Sequence, residues 1–117
     1  MQFGFFWNLD ADTGCQNSEV GTTHSLGLAA LANVSAHELS ETMTDPRLSA
    51  WYDQNGDENA DKCAWTFGPV SATNPLQLST LSNGTQWKLQ GEWSNAAYTG
   101  GTGYPNSAGQ SGCLAGY

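Results

Sequence analysis

The chain has 117 residues, of which 11 are Asp or Glu and three are Lys or Arg, so its formal net charge is −8. This acidity argues against a nucleic-acid partner and against an anionic membrane surface, because both need basic patches. The composition, 38% apolar and 12% charged, is typical of a single globular domain, and no run approaches the ~20 apolar residues of a membrane span.

The N-terminal part predicts one strand, one loop and one long helix. Residues 2–8 are aromatic and are predicted as a strand, and residues 9–23 are rich in Asp, Asn, Gly and Ser and are predicted as a loop. Apolar residues and alanines from Leu26 to Met43 predict a buried helix from about Leu26 to Thr44. Asp45-Pro46 ends it, since proline disfavours the α conformation of the residue before it.

The C-terminal part predicts short strands separated by turns. Residues 47–62 are a polar loop, followed by strand candidates Cys63–Phe67 and Gln86–Trp93. The Gly- and Asn-rich tail Ser94–Gly112 is predicted as loop. A strand, a long helix and then short strands predict an α+β fold, in which one helix packs on a small sheet with long loops.

The segment Ser35–Glu41 carries the strongest chemical signal. His37 and Glu41 lie four residues apart on the predicted helix, where Cβ atoms are about 5–6 Å apart, so both can bind one cation. Glu38 follows His37 on the helix, so its side chain points to one side of this pair. It is predicted to hold a water molecule on the cation. The spacing is that of the zinc-peptidase helix His-Glu-x-x-His, with Glu41 in place of the second histidine.

The third ligand is predicted downstream. Seven of the eleven acids lie between residues 38 and 61, and that density favours a bound divalent cation over the alternative, a solvated acidic loop. Glu58 or Asp61 is the expected ligand, and the spacing does not choose between them. Asp45 lies about 12 Å along the helix from His37 and is expected to orient Arg47 or a backbone amide. Oxygen-bearing residues 53–61 also suggest a calcium loop, although an Asn-Gly turn explains half of that pattern.

Two other polar side chains are candidates for supporting roles. Tyr52 is placed to donate to a developing oxyanion, and His24, just before the helix, is a candidate for an oxyanion or metal role. Packing for the tyrosine and a cap or surface position for the histidine are the simpler interpretations.

The cysteines and the lysine-poor, Asn- and Ser-rich composition suggest an extracellular protein. An oxidising compartment would permit a Cys63–Cys113 disulfide, worth roughly 4 kcal/mol in the chain-entropy model; the alternative is three free thiols in a cytosolic protein. Cys15 is left over in either case. Because the chain starts directly in a predicted strand, we expect residues 1–117 to be one domain that lacks an upstream segment, which would hold a partner for Cys15.

The motifs together resemble a known family. His37–Pro46, Trp51–Asp53, Glu58–Trp65 and Leu89–Asn95 are similar to a family of secreted bacterial and fungal proteins related to the plant exordium (phosphate-induced) proteins. The resemblance covers most of residues 33–113 and implies a zincin-like fold. It carries over His37, Glu38 and Glu41 on the helix, with the acidic pair Glu58 and Asp61 downstream.

From the motif and the resemblance we expect a secreted metal-dependent hydrolase with zinc as its cation and Glu38 as general base, acting on a peptide or an ester. Glu41 in place of a histidine makes the ligand set harder, which weakens zinc binding and favours calcium or manganese. The rival hypothesis is a non-catalytic, cell-wall-associated module with a structural zinc or calcium ion. A third reading has no metal, with His37 hydrogen-bonded to Glu41 or Asp61.

Overall fold

The computed structural model describes residues 3–18 and 24–115. The long helix α1 spans Leu26–Thr44, as predicted. The side chain of Ser25 accepts a hydrogen bond from the Leu28 amide at 3.2 Å, which caps the N-terminus. At the other end the Asp45 amide donates to the Glu41 carbonyl at 2.7 Å, and Pro46 follows.

Helix α1 is buried along one narrow face only. Its buried residues are Gly27, Ala29, Ala30 and Asn33, whereas Leu39 is 60% and Met43 75% exposed. The prediction of a buried helix was therefore wrong for its large apolar residues. Small side chains line the packed face because the chain approaches closely there: a Cβ on Gly27 would lie 2.6 Å from the Asp10 Cα.

The segment before α1 is irregular. Residues 3–8 form no strand, so that prediction was wrong for them, and residue 2 lies outside the described residues. Residues 9–18 are turns and loop as predicted, and residues 19–23 again lie outside the described part. The buried side chain of Asn17 joins the segment to the rest of the fold, because its Nδ2 donates to the Lys88 carbonyl at 2.6 Å.

Two small antiparallel sheets follow the helix. Strands β1 (Ser79–Thr80) and β2 (Gln86–Trp87) pair with Ser79 opposite Trp87. The second sheet has the order β3-β5-β4, formed by β3 (Glu92–Trp93), β4 (Tyr104–Pro105) and β5 (Ser111–Leu114). The second helix, α2, spans Asn95–Gly100 between β3 and β4. The predicted α+β fold, one long helix with small sheets of short strands, is confirmed.

Three predicted boundaries in this half were wrong. The strand expected at Cys63–Phe67 is instead the end of a 3-10 helix, Asp61–Cys63, followed by a turn. The strand expected at Gln86–Trp93 is two strands in different sheets. The tail predicted as loop, Ser94–Gly112, contains α2, β4 and the start of β5. Helix α2 forms because the Ser94 side chain caps it and Gly101, at φ 65°, ends it in a left-handed conformation.

The predicted disulfide Cys63–Cys113 is confirmed and forms the centre of a core. Both cysteines are fully buried and contact Trp93, with Trp51 and Tyr104 packed against the group. Trp93 lies flat enough on β5 that a Cβ at Gly112 would come within 2.6 Å of its ring, so only glycine fits there. Cys15 is a free, partly buried thiol.

Buried amides connect α1 to the second half of the chain. The backbone N–H of Gln90 donates to Asn33 Oδ1 at 2.8 Å. The side chains of Asn33 and Gln90 are both almost completely buried. Nearer the C-terminal end of α1, the Asn59 side chain donates to Ser40 Oγ at 2.6 Å and accepts from Thr44 Oγ1 at 3.2 Å. These bonds fix residues 58–61 and 90 against one stretch of the helix. In residues 3–18 and 24–115 no helix is long and apolar enough to cross a bilayer.

Candidate metal centre

Three side chains converge at the C-terminal half of α1. His37 Nε2 lies 3.0 Å from Glu41 Oε1, one helical turn further on, and 3.4 Å from Asp61 Oδ1. The Asp61 amide donates to the same Glu41 oxygen at 3.2 Å, so the 3-10 helix is held against α1 at this point. Each residue offers one ligand atom, and the three atoms lie within 4.8 Å of one another.

The spacing of these atoms fits a small divalent cation. Ligands about 2.1 Å from a tetrahedral zinc ion lie roughly 3.4 Å from each other, close to the two distances measured from His37. One imidazole nitrogen and two carboxylate oxygens are ligands that zinc and other divalent metal ions accept. The cluster is therefore compatible with a divalent cation.

The surrounding charge also favours a cation. Burial raises the pKa of Glu41 to about 8, and the neighbouring carboxylates of Asp61, Glu58 and Glu38 push it in the same direction. Without a cation, the fold therefore favours the protonated form of Glu41 at neutral pH. A bound divalent ion would displace that proton and compensate the concentrated negative charge.

Gln90 fixes the orientation of the His37 ring. Its Oε1 accepts the backbone N–H of Trp65 at 3.2 Å, which directs its Nε2 towards His37 Nδ1. An amide nitrogen can only donate, so Nδ1 accepts. In the neutral ring the proton then lies on Nε2 and points at Glu41 and Asp61. This arrangement is the metal-free hydrogen-bonded cluster that the sequence offered as its third interpretation.

The structure brings one of the two candidates for the third ligand into contact with His37. Asp61 supplies an oxygen to the cluster with His37 and Glu41, whereas Glu58 is not a member of it. Glu58 remains a close neighbour: its backbone amide donates to Asp61 Oδ2 at 3.2 Å. Burial raises the pKa of Glu58, and the charges of Asp45, Asp61 and Glu38 raise it further.

Glu38 lies beside the cluster without joining it. Its side chain is exposed and lines a cleft that Glu41 and Glu58 also border. Its charge acts on both of those carboxyl groups. A general base in a metal-dependent hydrolase must lie beside the metal ligands without being one of them, and Glu38 has this position relative to the cluster.

The three supporting candidates lie outside the cluster. Asp45 is buried, and its Oδ1 accepts the backbone amides of Ser49 and Ala50 at 2.7 and 3.0 Å, so it shapes the turn after α1. Tyr52 is 56% exposed and lines a separate hollow of about 350 Å³. His24 stacks on Trp87 and its Nε2 contacts the Gln86 carbonyl at 3.1 Å, which places it at strand β2.

The oxygen-rich residues 53–61 contain a turn that is organised by the Asp53 carboxylate. Asp53 Oδ1 accepts the amides of Asn55 and Asp57, and its Oδ2 accepts from Lys62 at 2.7 Å. The Lys62 hydrogen bond is the main reason that the pKa of Asp53 is lowered. These hydrogen bonds occupy the Asp53 carboxylate. Among the described residues, Asp53 belongs to no group of three His, Cys, Asp or Glu side chains that could share a metal ion.

Sequence reasoning missed the amide side chains that hold the site together. Asn33 and Gln90 carry no motif, and only the apolar neighbours of Asn33 on a helix face mark it as a residue that needs a buried partner. Asn59 lies beside the acidic pair and carries no separate signal.

Comparison of the chain with protein-family models, with curated proteins and with solved structures finds no match. The resemblance to the exordium-related family therefore stays a prediction.

Proposed function

We propose that the protein is a secreted metal-dependent hydrolase in which His37, Glu41 and Asp61 bind one divalent cation and Glu38 is the general base. The observation that carries the proposal is the convergence of one imidazole and two carboxylates at distances suited to zinc. The disulfide is compatible with secretion, and the predicted family resemblance points the same way.

The roles follow from the position of each group. Such a cation would polarise a carbonyl group and acidify a water molecule. Glu38 takes the proton from the attacking water at its carboxylate and returns it to the leaving group. In the metal-free protein the Gln90 side chain holds the His37 ring and the Asp61 amide holds the Glu41 carboxyl. Peptide bonds are the proposed substrate, and esters break down by the same tetrahedral chemistry.

Three isosteric variants test this assignment. Glu38→Gln should lower the rate of casein and ester hydrolysis by roughly 100- to 10,000-fold, the usual contribution of a general base, and should leave zinc binding intact. Glu41→Gln should lose zinc binding together with hydrolysis. Glu58→Gln is the matched control, because Glu58 borders the same cleft but lies outside the ligand cluster; it should retain the bound ion.

Zinc content measured by elemental analysis after dialysis, together with turnover before and after chelation, gives the readout. Turnover that survives Glu38→Gln would remove Glu38 from the mechanism. Turnover that is insensitive to a chelator would rule out the metal-dependent reaction.

A second candidate is a non-catalytic module with a structural ion. Its support is that Glu41 and Asp61, which lie 20 positions apart in the chain, are already joined by a hydrogen bond. An ion at this point would tie α1 to the 3-10 helix. In that case chelation would lower the melting temperature of a protein that hydrolyses neither substrate.

A further inference from the structure

A cleft of about 1050 Å³ runs along α1 beside the candidate centre. Glu38 and Glu41 border it from the helix, and residues 3–7 also line it. A substrate bound in this cleft would therefore lie next to the general base. The cleft is the natural place for whatever part of the substrate flanks the bond that is cleaved.

The walls of the cleft are large apolar side chains that water reaches freely. Trp7 is 70% exposed, Leu39 60% and Leu48 82%, and all three line it. Phe3, Phe5 and Phe6 extend the same wall. Large apolar groups concentrated in one concave surface gain free energy when an apolar ligand covers them.

The polar groups that border the cleft are dominated by acids. Five carboxyl side chains line it, those of Asp12, Glu38, Glu41, Asp45 and Glu58, and among the described residues no Lys, Arg or His does. Glu41 belongs to the candidate metal cluster, and Asp45 Oδ1 already accepts two backbone amides. Asp12, Glu38 and Glu58 therefore remain to contact an occupant, and when ionised they only accept hydrogen bonds. A bound molecule must therefore supply hydrogen-bond donors. The backbone N–H groups of a peptide and basic side chains supply them, whereas the tail of a fatty ester does not. Acidic residues would be repelled.

We propose that this cleft binds a peptide segment with a bulky apolar side chain, flanked by neutral or basic residues, beside the bond to be cleaved. The inference rests on the proposed function in treating the bound peptide as a substrate. It adds the substrate class: peptides with aromatic or large aliphatic residues next to Lys or Arg are favoured, and acidic peptides are rejected.

Peptide binding can be measured separately from hydrolysis in the Glu38→Gln protein. We use a labelled peptide with one Phe between two Lys residues, and a partner in which Asp replaces both Lys. Fluorescence anisotropy should give a lower Kd for the first peptide by at least roughly tenfold, the effect of a few screened charge pairs. Equal affinities for the two peptides would overturn the proposal.

Two variants on one helix locate the binding surface. Leu39→Ser removes a cleft residue and should weaken binding of the Phe peptide roughly tenfold, as expected for loss of most of one buried leucine contact. Met43→Ser is the control: Met43 is more exposed, at 75%, and does not line the cleft. Both positions are exposed, so neither change should unfold the protein. Equal effects of the two variants would contradict the assignment.

Cys15 provides a direct readout because its thiol also borders the cleft. The bound Phe peptide should slow alkylation of Cys15, and the acidic peptide should not. Protection of Cys15 in a protein that hydrolyses no peptide would support the cleft assignment while refuting the hydrolase. Hydrolysis with no preference between the two peptides would refute the substrate class and leave the hydrolase standing.

Discussion

The molecule has two regions that use apolar side chains in opposite ways. In the disulfide region, Cys63 and Cys113 are fully buried and Trp93 is 8% exposed. Along the outer face of α1 and in residues 3–8, large apolar side chains face solvent, with Phe3 87% and Met43 75% exposed. The first region is packed like a small protein core, whereas the second leaves large apolar side chains in contact with solvent.

The candidate centre lies where these regions meet. His37 and Glu41 come from the exposed helix, whereas Asp61 precedes the buried Cys63 by two residues and Gln90 precedes β3 by two. The disulfide region thus holds one side chain of the cluster and the residue that contacts the histidine ring. The other two side chains of the cluster belong to the more exposed region.

The largest expected effect comes from removing the disulfide. The bridge joins residues separated by 50 positions, and the chain-entropy model predicts that Cys63→Ser costs about 4 kcal/mol in the free energy of unfolding. Urea unfolding followed by tryptophan fluorescence measures this. Cys15→Ser is the matched control, since Cys15 is unpaired and only partly buried; it should change the free energy by less than about 1 kcal/mol. A similar loss in both variants would contradict the contrast between the regions.

Sequence reasoning succeeded where the determinants are local. The bounds of α1 follow from Asp45-Pro46 and from the pattern of small and apolar residues, and the pairing of His37 with Glu41 follows from helix geometry alone. It failed for strands of two residues, which are too short to show a two-residue period. It also could not choose Asp61 over Glu58, because that choice depends on how Asn59 ties the segment to α1 through Ser40 and Thr44.

The free energy of unfolding of the metal-free protein should depend on pH through the titration of Glu41. Its pKa is 4.5 in the unfolded chain and about 8 in the fold, so between these values unfolding releases a proton. The free energy of unfolding should therefore fall as pH rises from about 4.5 to about 8, and then level off. Glu41→Gln keeps an acceptor for the Asp61 amide and removes the titration.

Thermal melts of both proteins in the presence of a chelator test this expectation. The two should have similar stability near pH 4, and the variant should become the more stable one as the pH approaches 8. Parallel curves across this range would show that Glu41 is ionised in the fold like an ordinary surface carboxylate.

The smallest structural change expected is a proton shift between the two nitrogens of the His37 ring. Because the Gln90 amide donates to Nδ1, the neutral ring should carry its proton on Nε2 in the absence of a cation. A cation bound at Nε2 must move that proton to Nδ1, and the Gln90 amide must then turn so that its oxygen accepts it. Long-range 15N–1H NMR correlations distinguish the two forms directly.

His24 is an internal reference for this measurement, because its Nε2 contacts the Gln86 carbonyl, which can only accept a hydrogen bond. Both histidines should show the Nε2–H form in the metal-free protein, and only His37 should switch when zinc is added. Switching of both rings would indicate non-specific zinc binding. A His37 ring that stays in the Nε2–H form at saturating zinc would show that its Nε2 is not a ligand. The proposed three-residue centre would then have no nitrogen donor.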